Sequence, residues 1–265
     1  MEDIRDTIFK DIAGKEFRAL LIPERDGCLS GVEEAKRLTE EISAGLHLFL
    51  NEGDGVKAGK PIGEVTATPK IMAMAEERVI GTLSKFSGVA TASQKAVKLA
   101  QGRIRIVSGS WKKMPPAIKN GIRQAIVTGG ASFRISSTPM VYLDKNYIRM
   151  LGSIPAALAT VRGCTDLAKV IQIKGKDCSI EEETVQAVEN GCNILMVDTG
   201  NLEDVVRCAK KVEEMGRHGQ LQIAFAGGVK LDDIPKFFDY GIDMLCIGKE
   251  IVDAPLLDIK MDVEL

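Results

Sequence analysis

Two glycine turns carry the densest chemical signal in this chain. Gly227-Gly228 follows the apolar run LQIAFA, and Gly248-Lys249 follows DMLCI. Glycine at a strand end lets the backbone come close to a ligand, and N–H groups at the start of a following helix attract anions. Two such turns on neighbouring parallel strands are how a β/α barrel grips a phosphate through its last two loops. A plain tight turn uses the same residues, and at this point both readings stand. Histidine is scarce, with only His47 and His218, which disfavours a histidine zinc site, a Ser-His-Asp triad or a Cys-His pair. Whatever chemistry occurs must therefore use Lys, Arg, Asp, backbone amides and a metal if one is bound.

The composition narrows the class. At 265 residues the chain has room for one large domain or two smaller ones. A formal charge of −2 argues against a nucleic-acid or membrane surface. No apolar run reaches the roughly 18 residues a spanning helix needs, and MEDIRDTIFKDI lacks the apolar segment of a signal peptide. Six cysteines without CxxC spacing read as free thiols of a cytoplasmic protein.

The elements that must position the glycine turns are legible as alternation. AKVIQIKG, NILMVDTG, LQIAFAGG and DMLCIGK read as buried parallel strands, with Leu221–Ala226 and Met244–Ile247 flanking a helix expected over Asp232–Tyr240. EEETVQAVENG and LEDVVRCAKKVEEMG read as further helices, acidic at their first turns and closed by glycine. IRIVSG, ASFRI and MVYL add strand-like pieces upstream. Five or more βα units favour a β/α barrel, and no GxGxxG follows the first strand. Before the barrel, FRALLI, VEEAKRLTEEISAG and LHLFLNEGDGVKAGKPIGEVTAT suggest strand, helix and a hairpin. Residues 71–101 suggest two helices broken near Ser87-Gly88. LLDIKMDVEL alternates with period two and suits a strand returning to the N-terminal domain. The hairpin phrase EGDGVKAGKPIGEV also resembles lipoyl and biotin carriers, but Lys70 follows Pro69 at the start of a helix, not at a tight turn.

PERDGCLSG, LNEGDGVKAGKPIGEV and AEERVIGTLSKFSGVAT, followed by LMVDTGNLEDV, FAGGVKLDDI and IGKEIVDAPLLDIKMD, resemble the type II phosphoribosyltransferases over nearly the whole length. These are the quinolinate and nicotinate phosphoribosyltransferases. GSWKKMPPAI leans toward the nicotinate branch. The resemblance implies an α/β fold with three parts. An N-terminal α/β sandwich with a helical connection covers 1–102, an incomplete, seven-stranded α/β barrel covers 103–255, and a closing strand covers 256–265. It implies transfer from phosphoribosyl pyrophosphate to a pyridine carboxylate in NAD biosynthesis, normally with Mg²⁺. It also implies a head-to-tail homodimer or a dimer-based oligomer. Residue by residue it assigns catalytic roles to Lys112, Lys113, Lys174 and Asp198. Arg78, Arg134, Lys145 and Gln172 would hold substrate, with Arg78 reaching into the neighbour's site. Gly227, Gly228, Gly248 and Lys249 would hold the phosphate.

This chain departs from the family pattern at several of these places. Ser110 and Met114 stand for the outer residues of the family's DTRKT motif, Phe133 for the histidine of its His-Arg pair, and Asp144-Lys145-Asn146-Tyr147 for KDNH. In VIQIK, Gln172 and Lys174 take places where the family carries acids, and Ala224 replaces a glutamate. Acids are lost and lysine is gained, so phosphates keep their partners. Mg²⁺ and the ribose hydroxyls lose acceptors, and no residue is assigned as a metal ligand. Three readings follow: a phosphoribosyltransferase for nicotinate or a related acid with little quinolinate decarboxylation, a paralogue handling another phosphorylated compound, and a non-catalytic scaffold.

Overall fold

A computed structural model describes residues 3–264. The N-terminal part supplies strands β1 (Phe17–Pro23), β2 (Gly27–Cys28), β3 (Gly45–Leu48), β4 (Gly55–Val56) and β5 (Gly63–Ala67). The middle supplies β6 (Arg105–Val107), β7 (Met140–Leu143), β8 (Ala168–Ile173), β9 (Ile194–Asp198), β10 (Gln222–Ala226) and β11 (Met244–Cys246). The last strand is β12 (Ile259–Val263). The chain forms two compact units that interleave in sequence. One takes the residues up to Lys95, Trp111–Gly130 and everything from Ile251; the other takes Ala96–Ser110 and Ala131–Glu250. The division therefore falls earlier than residue 102, and the stretch Trp111–Gly130 joins the first unit.

In the first unit an antiparallel sheet runs β12-β1-β5-β3. Along β1 every second residue is buried, so Ala19 and Leu21 face a core shared with Val65, Leu29, Val32 and Ile62. β12 pairs with β1 from Ala19↔Val263 to Pro23↔Ile259, which seats the chain's last strand on its first. The helix Val32–Glu40 lays Val32, Ala35 and Thr39 on this core. Glu52 fastens its start: the carboxylate accepts from the N–H groups of Gly31 (2.9 Å) and Val32 (3.0 Å) and from the hydroxyls of Ser30 (2.5 Å) and Thr128 (2.8 Å).

The expected break at Ser87-Gly88 does not occur. Helix Pro69–Ala75 passes through a single π-turn, Glu76–Ile80, into an unbroken helix Gly81–Ala100. Gly88 is present for proximity, since a Cβ there would strike the carbonyl oxygen of Pro255.

The second unit is a parallel sheet ordered β6-β11-β10-β9-β8-β7. Six strands pair regularly where the resemblance implied seven. The seventh place, the ASFRI segment, is held by Ser132 alone: its N–H donates to Ile106 O (3.0 Å) and its carbonyl accepts from Ser108 N (2.8 Å). One face of the sheet carries Val107, Val170, Ile194, Met196, Ala224 and Met244, residues that alternate along their strands and sit opposite one another in register. The helix expected over Asp232–Tyr240 is instead a 3₁₀ turn, Leu231–Phe237. Pro235 lies inside it and has no N–H to donate back four residues, so an α-helix is not sustained there.

Candidate active site

The same alternation that fills the sheet face with apolar side chains ends, at the C-terminal tips of β8 and β9, in polar ones. Gln172 shares its face with Val170 and lies opposite Met196; Asp198 comes two residues after Met196, and Lys174 two after Gln172. The three side chains meet. Gln172 Nε2 donates to Asp198 Oδ2 at 2.5 Å, and Lys174 Nζ lies 3.1 Å from the same oxygen. The Lys174 ammonium also donates to the backbone carbonyl of Asp198. Behind them, Gln172 Oε1 accepts from the N–H of Lys145 (2.7 Å), and the N–H of Lys174 donates to Glu183 Oε2 (2.7 Å). Lys145 thus enters the cluster through its backbone, and its side chain is exposed.

Three participants were not among the expected site residues. Glu183 is buried in the first turn of the helix Ile180–Glu189. The S-x-x-E spacing of Ser179 and Glu182 marks the capping box there, which leaves the next glutamate to turn inward. Tyr142 and Cys246 lie on the inward face of β7 and β11. Burial holds the Tyr142 phenol above its ordinary value, with Cys246, Asp198 and Asp144 adding to it. Burial also pushes the Cys246 thiol up to about 12; Asp198 adds to the shift and Arg105 opposes it. Both stay protonated at neutral pH.

The glycine turns follow the neighbouring strands. Gly227 has φ +121° and Gly228 φ +74°, both in the region glycine favours. A Cβ on Gly227 would collide with the backbone of Gly200, in the turn after β9, whereas one on Gly228 would meet open space. A Cβ on Gly248 would strike the Ser110 hydroxyl, and Lys249 opens the short helix Lys249–Val252 with its side chain exposed. Lys230 and Glu250 pair at 2.8 Å, joining the turn after β10 to the one after β11. The segment after Gly228 is a 3₁₀ turn of seven residues, so the expected contribution from a helix dipole falls away and backbone N–H groups remain.

The other expected residues make contacts of their own. Arg134 is exposed, with its guanidinium carbon 5.2 Å from the Phe133 ring centroid, outside the Asp198 cluster. Lys112 and Lys113 are exposed on the 3₁₀ turn Ser110–Lys113, beside Trp111, over whose ring Arg123 lies at 3.7 Å. Arg78 is exposed in the π-turn, 3.7 Å from a Glu41 carboxylate oxygen. From Trp111 onward, Lys112 and Lys113 belong to the first unit, as does Arg78.

A cleft of about 450 Å³ reaches Gln172 and Lys174 of the cluster and is lined also by Lys145, Arg149 and Lys176. Its acids, Asp177 and Glu183, are outnumbered by its four cations. A larger hollow of about 720 Å³ lies at the opposite, N-terminal strand ends, around Arg105, Lys169, Asn193 and Gln222. Barrel chemistry gathers at the C-terminal strand ends, so the smaller cleft is the candidate site. It does not fit Mg²⁺. Among the described residues no three His, Cys, Asp or Glu side chains converge to hold a metal. Asp198 Oδ2 already faces an ammonium and an amide N–H, and Glu183 accepts from a backbone N–H.

Residues 3–87 match the family described as "Quinolinate phosphoribosyl transferase, N-terminal domain", and residues 89–262 match its C-terminal domain. The chain belongs to this family. A "Probable nicotinate-nucleotide pyrophosphorylase (carboxylating)" of Methanothermobacter thermautotrophicus is 23% identical over 281 residues, covering 99% of this chain and 98% of its own. The human nicotinate-nucleotide pyrophosphorylase (carboxylating) is 25% identical over 247 residues, covering 92% of this chain and 81% of its own. The crystal structure of NadC from Streptococcus pyogenes superposes with a TM-score of 0.82 at 20% identity, over 100% of this chain and 91% of its own. At that identity the superposition speaks for the fold alone, and it agrees with a chain made of a parallel-stranded α/β unit and an N-terminal sheet unit. No helix among the described residues is long and apolar enough to cross a membrane.

Proposed function

We propose that this chain transfers the phosphoribosyl group of phosphoribosyl pyrophosphate to a pyridine carboxylate, nicotinate being the preferred acceptor, as a step of NAD biosynthesis. The observation that carries it is the polar cluster of Gln172, Lys174 and Asp198 at the strand tips, two of whose members, Gln172 and Lys174, line a cleft with an excess of cations. The ring nitrogen attacks the sugar carbon as pyrophosphate departs, so positive charge grows on the sugar and negative charge on the leaving oxygen. Asp198 Oδ2 is held by two donors, which fixes the carboxylate and leaves Oδ1 to accept a ribose hydroxyl and sit near the developing cation. Gly227, Gly228, Gly248 and Lys249 hold the 5′-phosphate, chiefly through backbone N–H groups.

The acceptor is assigned by what the chain lacks. Phe133 stands where the family has a histidine, so a dicarboxylate loses one cationic partner, and a monocarboxylate is the better match. The relatives' names, both ending in "carboxylating", favour quinolinate as the second candidate. Incubating the purified chain with phosphoribosyl pyrophosphate and each acid, and measuring pyrophosphate and CO₂, decides between them. Pyrophosphate release with nicotinate and little CO₂ from quinolinate is expected. Robust CO₂ release would reassign the acceptor, and no pyrophosphate with either would overturn the transfer itself.

A further inference from the structure

A pyrophosphate leaving group is normally neutralised by a divalent cation, which needs anionic or neutral oxygens free to coordinate it. Three acids at or beside these strand tips are engaged by protein donors, while the cleft's remaining acid, Asp177, is exposed on its rim. Asp198 Oδ2 is shared by Gln172 Nε2 and Lys174 Nζ, and Glu183 accepts from the N–H of Lys174. Asp144 caps its own helix, accepting from the N–H groups of Asn146 (2.8 Å) and Tyr147 (3.2 Å). In place of a metal, the cluster holds one ammonium in a fixed position. Lys174 is only 24% exposed and is pinned at once by the carboxylate and the backbone carbonyl of Asp198. Lys145, Arg149 and Lys176 line the same cleft and add charge without adding ligands.

We infer that Lys174 takes the place of the divalent cation: this chain binds the pyrophosphate arm of its sugar substrate in metal-free form, with the Lys174 ammonium as the fixed counter-charge. This rests on the phosphoribosyl reading above. The step balances without a metal or a proton transfer. The bond from sugar C1 to the pyrophosphate oxygen breaks and both electrons leave with that oxygen. The lone pair of the pyridine nitrogen forms the new C1–N bond, and Lys174 keeps its proton throughout. Holding the ammonium against Asp198 before substrate arrives also removes the cost of ordering a long side chain during binding.

Calorimetric titration with inorganic pyrophosphate and with phosphoribosyl pyrophosphate, each in EDTA and in excess magnesium, tests the inference. The expected result is an affinity that changes by less than about threefold between the two conditions, well inside the tenfold that one charged hydrogen bond supplies. In EDTA, Lys174→Met should weaken both ligands by about tenfold or more, while Lys174→Arg, which keeps the charge, retains most of the affinity. Thermal melts of both variants separate loss of binding from loss of folding, and the Arg variant serves if the Met variant does not fold. Binding that requires magnesium, or a folded Lys174→Met that binds normally in EDTA, would overturn the inference and leave the phosphoribosyl reading standing. Metal-free binding without turnover of any acid would leave the inference standing and overturn that reading. No binding of either ligand in either condition would overturn both.

Discussion

Asp198 shows how little of an acid's identity is decided by its type. Its Oδ2 is consumed by Gln172 and Lys174, so only its second oxygen and its charge remain for substrate. Asp198→Asn keeps the shape and loses the charge. It should lower kcat/KM by about 100-fold, the scale of one electrostatic contact to a transition state, with the thermal midpoint little changed. Steady-state kinetics beside a melting curve check this. The thiols give a second expectation. Cys192 and Cys246 are pushed up to about 12 and Cys208 to about 11, in each case first by burial, from an ordinary value of 9.0. Below pH 9 both folded and unfolded thiols are protonated and the shift costs nothing. As pH rises from about 9 toward 11–12 the unfolded chain loses thiol protons that the folded chain retains, so these groups make stability fall across that window. Urea melts of the parent and of Cys208→Ala should show a shallower alkaline decline in the variant. At pH 8, brief alkylation read by mass spectrometry should mark exposed Cys164 well ahead of these three.

Among the elements, Gly88 sets two effects against each other. Alanine is the better helix former by about 1 kcal/mol. Its Cβ, however, would strike the Pro255 carbonyl, backbone that gives way poorly, and overpacking of that kind costs about 1–3 kcal/mol. Gly88→Ala should therefore lower stability despite the gain in propensity, which a denaturant titration reads directly. Glu52→Ala should cost about 1–3 kcal/mol in the same assay, because it strips the acceptor from the first N–H groups of the helix Val32–Glu40 and from two hydroxyls. Most elements were readable because hydrophobic period and cap residues agree, as in β1, β8–β10 and the helix that opens at Ser179. The failures have separate causes. Gly88 reads as a helix break until the Pro255 backbone beside it is known. Pro235 sits in an otherwise helical pattern and tightens it to 3₁₀. ASFRI has strand composition, yet only Ser132 pairs. At the site, Gln172, Lys174 and Asp198 could be named through family resemblance, not through spacing. Glu183 and Tyr142 could not, because inward orientation depends on neighbours far away in sequence.

At the scale of the molecule, the family resemblance implies assembly. We propose a homodimer in which Arg78 of one protomer serves its partner's site. Its exposed position in a π-turn, with only a 3.7 Å approach to Glu41, leaves the guanidinium available for such a role. Sedimentation velocity at micromolar concentration should find a dimer, and a stable monomer would refute it. Arg78→Ala should lower activity without dissociating the dimer. Mixing this variant with an inactive Asp198→Asn chain should then recover about a quarter of the parent activity, because one mixed site in each heterodimer is intact.

The seating of β12 on β1 has a consequence for how the protein is made. Synthesis runs from the N-terminus, so β1 emerges well before the strand that covers its edge, which follows only after β2 to β11. Throughout translation β1 presents an unpaired row of N–H and C=O groups, the kind of edge that recruits other strands. Ala131–Glu250, by contrast, contains β7 to β11 in one continuous run and can collapse as it appears. The first unit's sheet is thus completed only after the second unit's strands have all been made. A ribosome stalled before Ile259 would hold a chain whose parallel-stranded unit is nearly complete and whose first sheet is still adhesive.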